Sequence, residues 1–216
     1  MNAKPSQPLD FRGPAGRLEG LLTLPESDPV AATVLCHAHP LYGGIMRFKL
    51  LHRVANALAG NGVAVLRFHF RGVGGSEGHF DYGVGEQDDC HAALDELARR
   101  VPAVPLLVGG FSFGAAVAMN VAGHDVRLRR AFALGFPLRA VRERPSLDQL
   151  PWPCLFLQGE HDEFGAADEI EEVVAPLPQR HELVIVTGSD HFFTGHYEQV
   201  ESNLAKWVAR RPWGAP

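Results

Sequence analysis

Cysteine is scarce in this 216-residue chain, with only Cys36, Cys90 and Cys154, far apart and without a CxxC pair. An odd, scattered set excludes a disulfide framework and predicts buried thiols in a reducing compartment, which points to the cytoplasm. Clustered positive charge is also missing. Lysine and arginine total 20 against 25 acidic residues, a net charge of −5, and no Lys/Arg-rich run occurs. Nucleic acid is therefore not an expected partner. No apolar run approaches membrane-spanning length, and the start, Met1-Asn2-Ala3-Lys4-Pro5-Ser6-Gln7-Pro8, has no apolar signal core, so no membrane is expected as a partner. Internal repeats, low-complexity tracts and linkers are absent, which predicts one domain over residues 1–216, as a monomer or homodimer.

The 46% of hydrophobic residues falls instead into an alternation of strand-like and helix-like segments. Residues 17–24, 30–36, 63–70, 104–109, 130–134, 154–158 and 183–186 read as strands, bounded by glycine, proline and polar clusters. Residues 48–59 read as a helix with Leu51, Val54, Ala55 and Leu58 on one face, and 87–99 as a helix with Cys90, Ala93, Leu94 and Leu97 aligned. Further helices are expected near 166–174 and at the end, where Val200, Leu204, Trp207 and Val208 share a side. Repeated βα units predict an α/β fold with a mostly parallel, twisted sheet and helices on both faces. Residues 135–153 are too short and too interrupted, by Pro137, Pro145, Pro151 and Pro153, to build a helical cap over the sheet edge.

Between the strand at 104–109 and a helix opening with Ala115 and Ala116 lies Gly110-Phe111-Ser112-Phe113-Gly114. Gly-x-Ser-x-Gly in that context is a nucleophile elbow, a turn so sharp that its neighbours must lack side chains. A serine there needs a general base and a group to orient it. With the nucleophile leading, the order Ser, Asp/Glu, His selects Asp162 after the strand at 154–158 and His191 after that at 183–186. Among eleven histidines, His181 precedes its strand, His161 adjoins the acid and His196 opens the last helix. Glu160 is the main alternative acid; Glu163 also flanks Asp162, and Asp190 is too close to His191 in sequence to hold its ring easily.

A tetrahedral intermediate also needs donors for its oxyanion. The N–H of Phe113 is the expected first donor. The second should come from His37-Ala38-His39-Pro40-Leu41-Tyr42-Gly43-Gly44; proline has no N–H, which leaves Leu41, with Tyr42 as the alternative. His37 and His39, with His69 nearby, suggest a metal, yet no acidic or histidine set completes a shell. They read better as hydrogen-bonded histidines shaping this loop, with no metal or cofactor expected. Arg71-Gly72-Val73-Gly74-Gly75-Ser76-Glu77-Gly78 matches neither phosphate-loop pattern, because Glu77 stands where glycine is needed and no Gly-Lys-Ser/Thr occurs. It reads as a structural loop with Arg71 as an internal anchor. Tyr42, Phe111, Phe136 and Phe192, together with Phe113, Phe164 and Phe193, fall on or near site loops and suggest an apolar acyl pocket.

Taken together, the His37–Gly44 loop, Phe70-Arg71-Gly72-Val73-Gly74 with Ser76 and Gly78, Gly85-Glu86-Gln87-Asp88-Asp89, the elbow, Asp162 and Asp190-His191-Phe192-Phe193 resemble the α/β-hydrolase superfamily. More closely they resemble a small, lidless bacterial branch of carboxylesterase-like proteins related to dienelactone hydrolases. The resemblance covers nearly the whole chain. It implies Ser112, Asp162 and His191 as a triad without cofactor, acting on a small-molecule ester. Phe48 and His69 depart from it, since asparagine usually stands at both places. The expectation is a serine hydrolase cleaving carboxylic esters of short to medium acyl chains through an acyl-enzyme. The alternatives are a thioesterase, peptidase or lactonase with the same triad, a metal-dependent hydrolase, or a non-catalytic binding protein of this fold.

Overall fold

The structure, a computed structural model, describes residues 3–141, 147–178 and 181–210. Its frame is an eight-stranded sheet. Four strands are buried at every position, namely β3 (Ala31–Cys36), β4 (Val63–Phe68), β5 (Leu106–Phe111) and β7 (Cys154–Gly159). Continuous apolar runs of this kind are what a parallel sheet covered on both faces requires. β6 (Leu128–Leu134) lies between β5 and β7, and β8 (Glu182–Val186) closes that edge. The other edge is antiparallel: β1 (Gln7–Gly13) and β2 (Gly16–Thr23) form a hairpin, and β2 pairs with β4. The sheet order is β1-β2-β4-β3-β5-β6-β7-β8.

β1 is the element that the sequence pattern did not announce. Only Phe11 and Gly13 of its seven residues are buried, so the alternation that marks a half-buried strand is too weak to read. The remaining expected strands are present with ends moved by one or two residues.

One face is covered by α1 (Lys49–Gly60) and α5 (Tyr197–Ala209), whose Leu51, Val54, Leu58, Leu204 and Trp207 pack on Val65, Leu107, Phe111 and Phe132. The other carries α2 (Gly85–Arg100), α3 (Phe113–His124) and α4 (Ala167–Val174). α3 is apolar almost all round, with Ala115, Ala116, Ala118 and Ala122 buried, so it lies close against the sheet. In residues 135–153 the described helical structure is a single 3-10 turn, Leu147–Gln149, and residues 142–146 fall outside the described set.

Register brings the working edge together. Cys36 pairs with Gly110, Phe111 with Leu134, and Gly159 with Val186, so the carboxyl ends of β3, β5, β6, β7 and β8 come level. From β3 the chain proceeds to β4 on one side and, after α2, to β5 on the other. That reversal leaves a crevice outside the ends of β3 and β5, where ligands of open α/β sheets bind.

Candidate active site

Ser112 joins β5 to α3 with φ 56° and ψ −124°, a conformation that a residue with a side chain adopts only when its surroundings impose it. Such strain is worth about 1–3 kcal/mol and collects at functional sites. The imposition is visible here. Ser112 N donates to Leu134 O at 2.9 Å, and the N–H groups of Ala115 and Ala116 converge on Ser112 O at 2.8 and 3.2 Å. A side chain at Gly110 would collide with the Gly114 carbonyl, and one at Gly114 with the carbonyls of Cys36 and His37. Both glycines are thus required by close approach of backbone.

Ser112, His191 and Asp162, remote in sequence, meet at this edge. His191 Nε2 lies 2.9 Å from Ser112 Oγ, and His191 Nδ1 lies 2.8 Å from Asp162 Oδ2. A carboxylate only accepts, so Nδ1 carries the proton and Nε2 is left as acceptor for the serine hydroxyl. Asp162 and His191 are 1% and 2% exposed, which keeps the pair out of competition with water. Phe111, Phe164 and Phe192 surround the imidazole, with ring centroids 5.1, 4.6 and 5.2 Å away.

The competing acids are occupied elsewhere. Glu160 Oε2 accepts from Gly188 N at 2.7 Å, and Asp190 Oδ1 from Thr194 N at 2.9 Å. His181 stands at the start of β8, away from the carboxyl edge, His161 is exposed beside Glu160, and His196 caps α5.

Gln158, the residue that sequence reasoning missed, is fully buried at the end of β7. Its Nε2 donates to Asp162 Oδ2 at 2.9 Å and to Gly165 O at 2.7 Å, while its Oε1 accepts from Phe136 N at 2.8 Å. Phe164 N holds the other carboxylate oxygen at 2.8 Å. A glutamine inside a strand of apolar residues is itself a signal, because a buried amide must find partners.

The loop after β3 is built by its histidines. His37 Nδ1 donates to Ala38 O at 2.7 Å, and its Nε2 accepts from Phe70 N at 3.1 Å, tying this loop to the one after β4. Burial pushes its pKa from 6.5 down to about 3, so the ring is neutral. His39 caps the 3-10 turn Pro40–Tyr42, its Nδ1 accepting from Leu41 N at 3.2 Å, while Tyr42 N donates to His39 O at 3.1 Å. The N–H groups of Leu41 and Tyr42 are therefore both engaged within their own loop. That of Phe113, at the first position of α3, has no intrahelical acceptor.

Both ring nitrogens of His37 are in use, and His69 Nδ1 pairs with Glu19 Oε2 at 3.2 Å. Among the described residues, no group of three His, Cys, Asp or Glu stands where it could hold a metal ion. Arg71 is an internal anchor: its Nε and Nη2 grip Asp89 at 3.0 and 2.8 Å, and Asp89 is fully buried.

The expected pocket residues divide. Phe111 is fully buried, stacked on Phe48 at 5.7 Å, and Phe136 is packed against Phe156 in the opposite core. Neither side chain is accessible, which corrects their assignment to an acyl pocket. Phe111 ends a strand whose alternation turns it toward α1, and Phe136 lies in a connection pinned by Gln158. Phe192 and Tyr42 are exposed.

Comparison with known proteins agrees with this architecture. The sequence pattern of the alpha/beta hydrolase domain family matches residues 31–209, everything from β3 to α5. An uncharacterized protein of Rickettsia prowazekii is 38% identical over 206 residues, covering 92% of this chain and 87% of that protein. Among solved structures, an alpha-beta serine hydrolase homologue from Coxiella burnetii superposes with a TM-score of 0.87 at 32% identity, covering 94% of this chain and 97% of that one. A serine hydrolase without a lid from Xanthomonas campestris gives 0.86 at 31% identity, covering 98% and 97%. With its sheet order, its strained serine turn and a family pattern running from β3 to α5, the chain belongs to the alpha/beta hydrolase family.

Proposed function

We propose that this hydrolase cleaves carboxylic esters of small molecules through an acyl-enzyme, with Ser112 as nucleophile, His191 as general base and Asp162 as the group that orients it. The observation that carries the reading is the unbroken chain from Ser112 Oγ through both ring nitrogens of His191 to Asp162, at 2.9 and 2.8 Å, starting from a strained elbow serine.

The chemistry follows from the proton positions. His191 Nε2 takes the hydroxyl proton as Ser112 Oγ attacks the ester carbonyl, and the buried Asp162 carboxylate stabilises the imidazolium. The N–H of Phe113 receives the developing oxyanion. Leu41 is the proposed second donor. To serve, it exchanges the neutral His39 Nδ1 for the oxyanion, a stronger acceptor because it is charged. His191 then gives its proton to the departing alkoxide, and water repeats the sequence to free the acid. The open edge suits short to medium acyl chains.

The test is labelling with a fluorophosphonate probe alongside turnover of p-nitrophenyl esters from acetate to palmitate. The reading expects both labelling and turnover, each lost in Ser112→Ala. A protein that neither labels nor turns over any ester is a binding protein on a hydrolase fold.

A further inference from the structure

Beside the elbow, lined by Phe113 and not by His191, lies a cleft of about 310 Å³. Its floor is one stripe of α3, in which Phe113, Ala116, Val117 and Asn120 follow the helical spacing, and its wall is the loop from Phe80 to Val84. The rings of His39, Phe80 and Phe113 form a continuous aromatic end, with centroids 4.8, 5.0 and 5.7 Å apart pairwise. From Phe113 to Asn120 the helix advances about 10 Å, which sets the depth of the cleft.

The wall is held in place. Glu86, fully buried at the start of α2, accepts from Asp81 N at 2.8 Å and Gly83 N at 2.7 Å, and Asp81 Oδ2 accepts from Gly85 N at 3.1 Å. Between those two clamped amides, Tyr82 is held at φ 53°, a conformation unfavourable for an aromatic residue. Of the lining residues, Tyr82 and Val84 are 63% and 68% exposed. Large exposed apolar side chains beside the aromatic end of a cleft suit an apolar ligand.

The far end is polar in one sense only. Asn120 Nδ2 donates to Ala116 O at 3.1 Å, and Gln87 Nε2 donates to Gly83 O at 2.7 Å. Those bonds fix both amides with their oxygens as the free groups. Among the described residues no donor reaches Asn120 Oδ1 or Gln87 Oε1, and neither atom is sealed from solvent. Both are acceptors open to a ligand's donor as to water.

The geometry points to this cleft as the acyl subsite, taking an aryl-alkanoyl group whose ring carries a hydroxyl that donates to the Asn120 or the Gln87 amide oxygen. The inference rests on the ester-hydrolase reading. Under that reading the leaving oxygen must lie against His191 to be protonated, on the side flanked by Phe164 and Phe192. The cleft is lined by neither of these, but by Phe113, the neighbour of the nucleophile on its oxyanion side. The acyl portion is what remains to fill it. Aromatic rings on the wall favour a flat apolar body, and the acceptor pair at the end selects its donor.

Four esters test the assignment by kcat/KM: ethyl acetate, ethyl 3-phenylpropanoate, ethyl 3-(4-hydroxyphenyl)propanoate, and 3-(4-hydroxyphenyl)propyl acetate, which moves the aryl group to the alcohol. The expected order places the hydroxyaryl acyl ester above its unsubstituted analogue by about threefold to tenfold, the worth of one net hydrogen bond. Both should exceed ethyl acetate, and the alcohol-side isomer should gain nothing. In Asn120→Leu with Gln87→Leu the ratio between hydroxylated and plain acyl esters should fall to about one. Wild-type protein that cleaves ethyl acetate as well as the aryl acyl esters, or that gains equally from the alcohol-side isomer, overturns the subsite and leaves the esterase reading standing. Absence of turnover on all four overturns the esterase reading and the subsite with it.

Discussion

Gln158 and His191 share one oxygen of Asp162: Gln158 Nε2 donates to Oδ2 at 2.9 Å and His191 Nδ1 approaches it at 2.8 Å. Two donors on one lone-pair edge fix the carboxylate plane, and with it the imidazole. Gln158→Leu should lower kcat about tenfold with little change in KM, because transition-state alignment is lost rather than substrate contact. It should also destabilise the fold by about 2 kcal/mol, since Phe136 N–H and Gly165 O are left unpaired. Gln158→Glu separates positioning from packing. It keeps the shape but sets a second carboxyl against Asp162, so its activity should fall with rising pH as the shared proton is lost. A KM increase at unchanged kcat, or a Gln158→Glu profile identical to wild type, would contradict this role.

His37 governs a second expectation, on acid stability. Its folded pKa is about 3, below its usual 6.5, so the unfolded chain binds the proton more readily. The contribution is full above pH 6.5 and is lost progressively as pH falls from 6.5 toward 3. At pH 5 the loss is about 2 kcal/mol, at roughly 1.4 kcal/mol per pH unit. Burial lowers the His69 pKa as well and adds in the same direction. Denaturant titrations at pH 7 and pH 5 should show this loss. His37→Gln should show a smaller one, and an equal loss in both proteins would refute the assignment.

Among the described residues no helical cap stands over the sheet edge, so the proposed site has no cover for a lipid surface to open. The rate on p-nitrophenyl esters should therefore pass smoothly through the critical micelle concentration. Each methylene contributes about 0.8 kcal/mol only while it is buried, so kcat/KM should peak well short of palmitate. A jump at the micelle threshold, or a steady rise to palmitate, contradicts the open edge.

The parts of this protein legible in its sequence are those that depend on neighbours along the chain. The elbow needs Gly110 and Gly114 because the backbone of β5, α3 and the end of β3 crowd it, and the flanking apolar runs announce a buried strand and a small-residue helix. Chain order then singled out Asp162 and His191, because each follows a strand of the same sheet, and the three side chains do meet. β1 was not legible, because an edge strand with two buried residues leaves no period. Nor was Gln158, whose partners come from two other loops, one of them twenty-two residues earlier. Phe111 and Phe136 show the opposite error: nearness to the site in sequence does not say which face a ring turns to. Leu41 was selected by elimination, but the short turn that Pro40 starts gives its N–H to His39.

The most direct measurement is kcat on p-nitrophenyl acetate for wild type, Ser112→Ala, His191→Ala and Asp162→Asn, with folding verified by circular dichroism. Members of the proposed triad act as one unit, so Ser112→Ala and His191→Ala should each lower kcat by about a millionfold, Asp162→Asn by somewhat less, and combined changes should cost little more than one. A folded Ser112→Ala protein that keeps a tenth of the wild-type rate, or losses that multiply independently, would contradict the account.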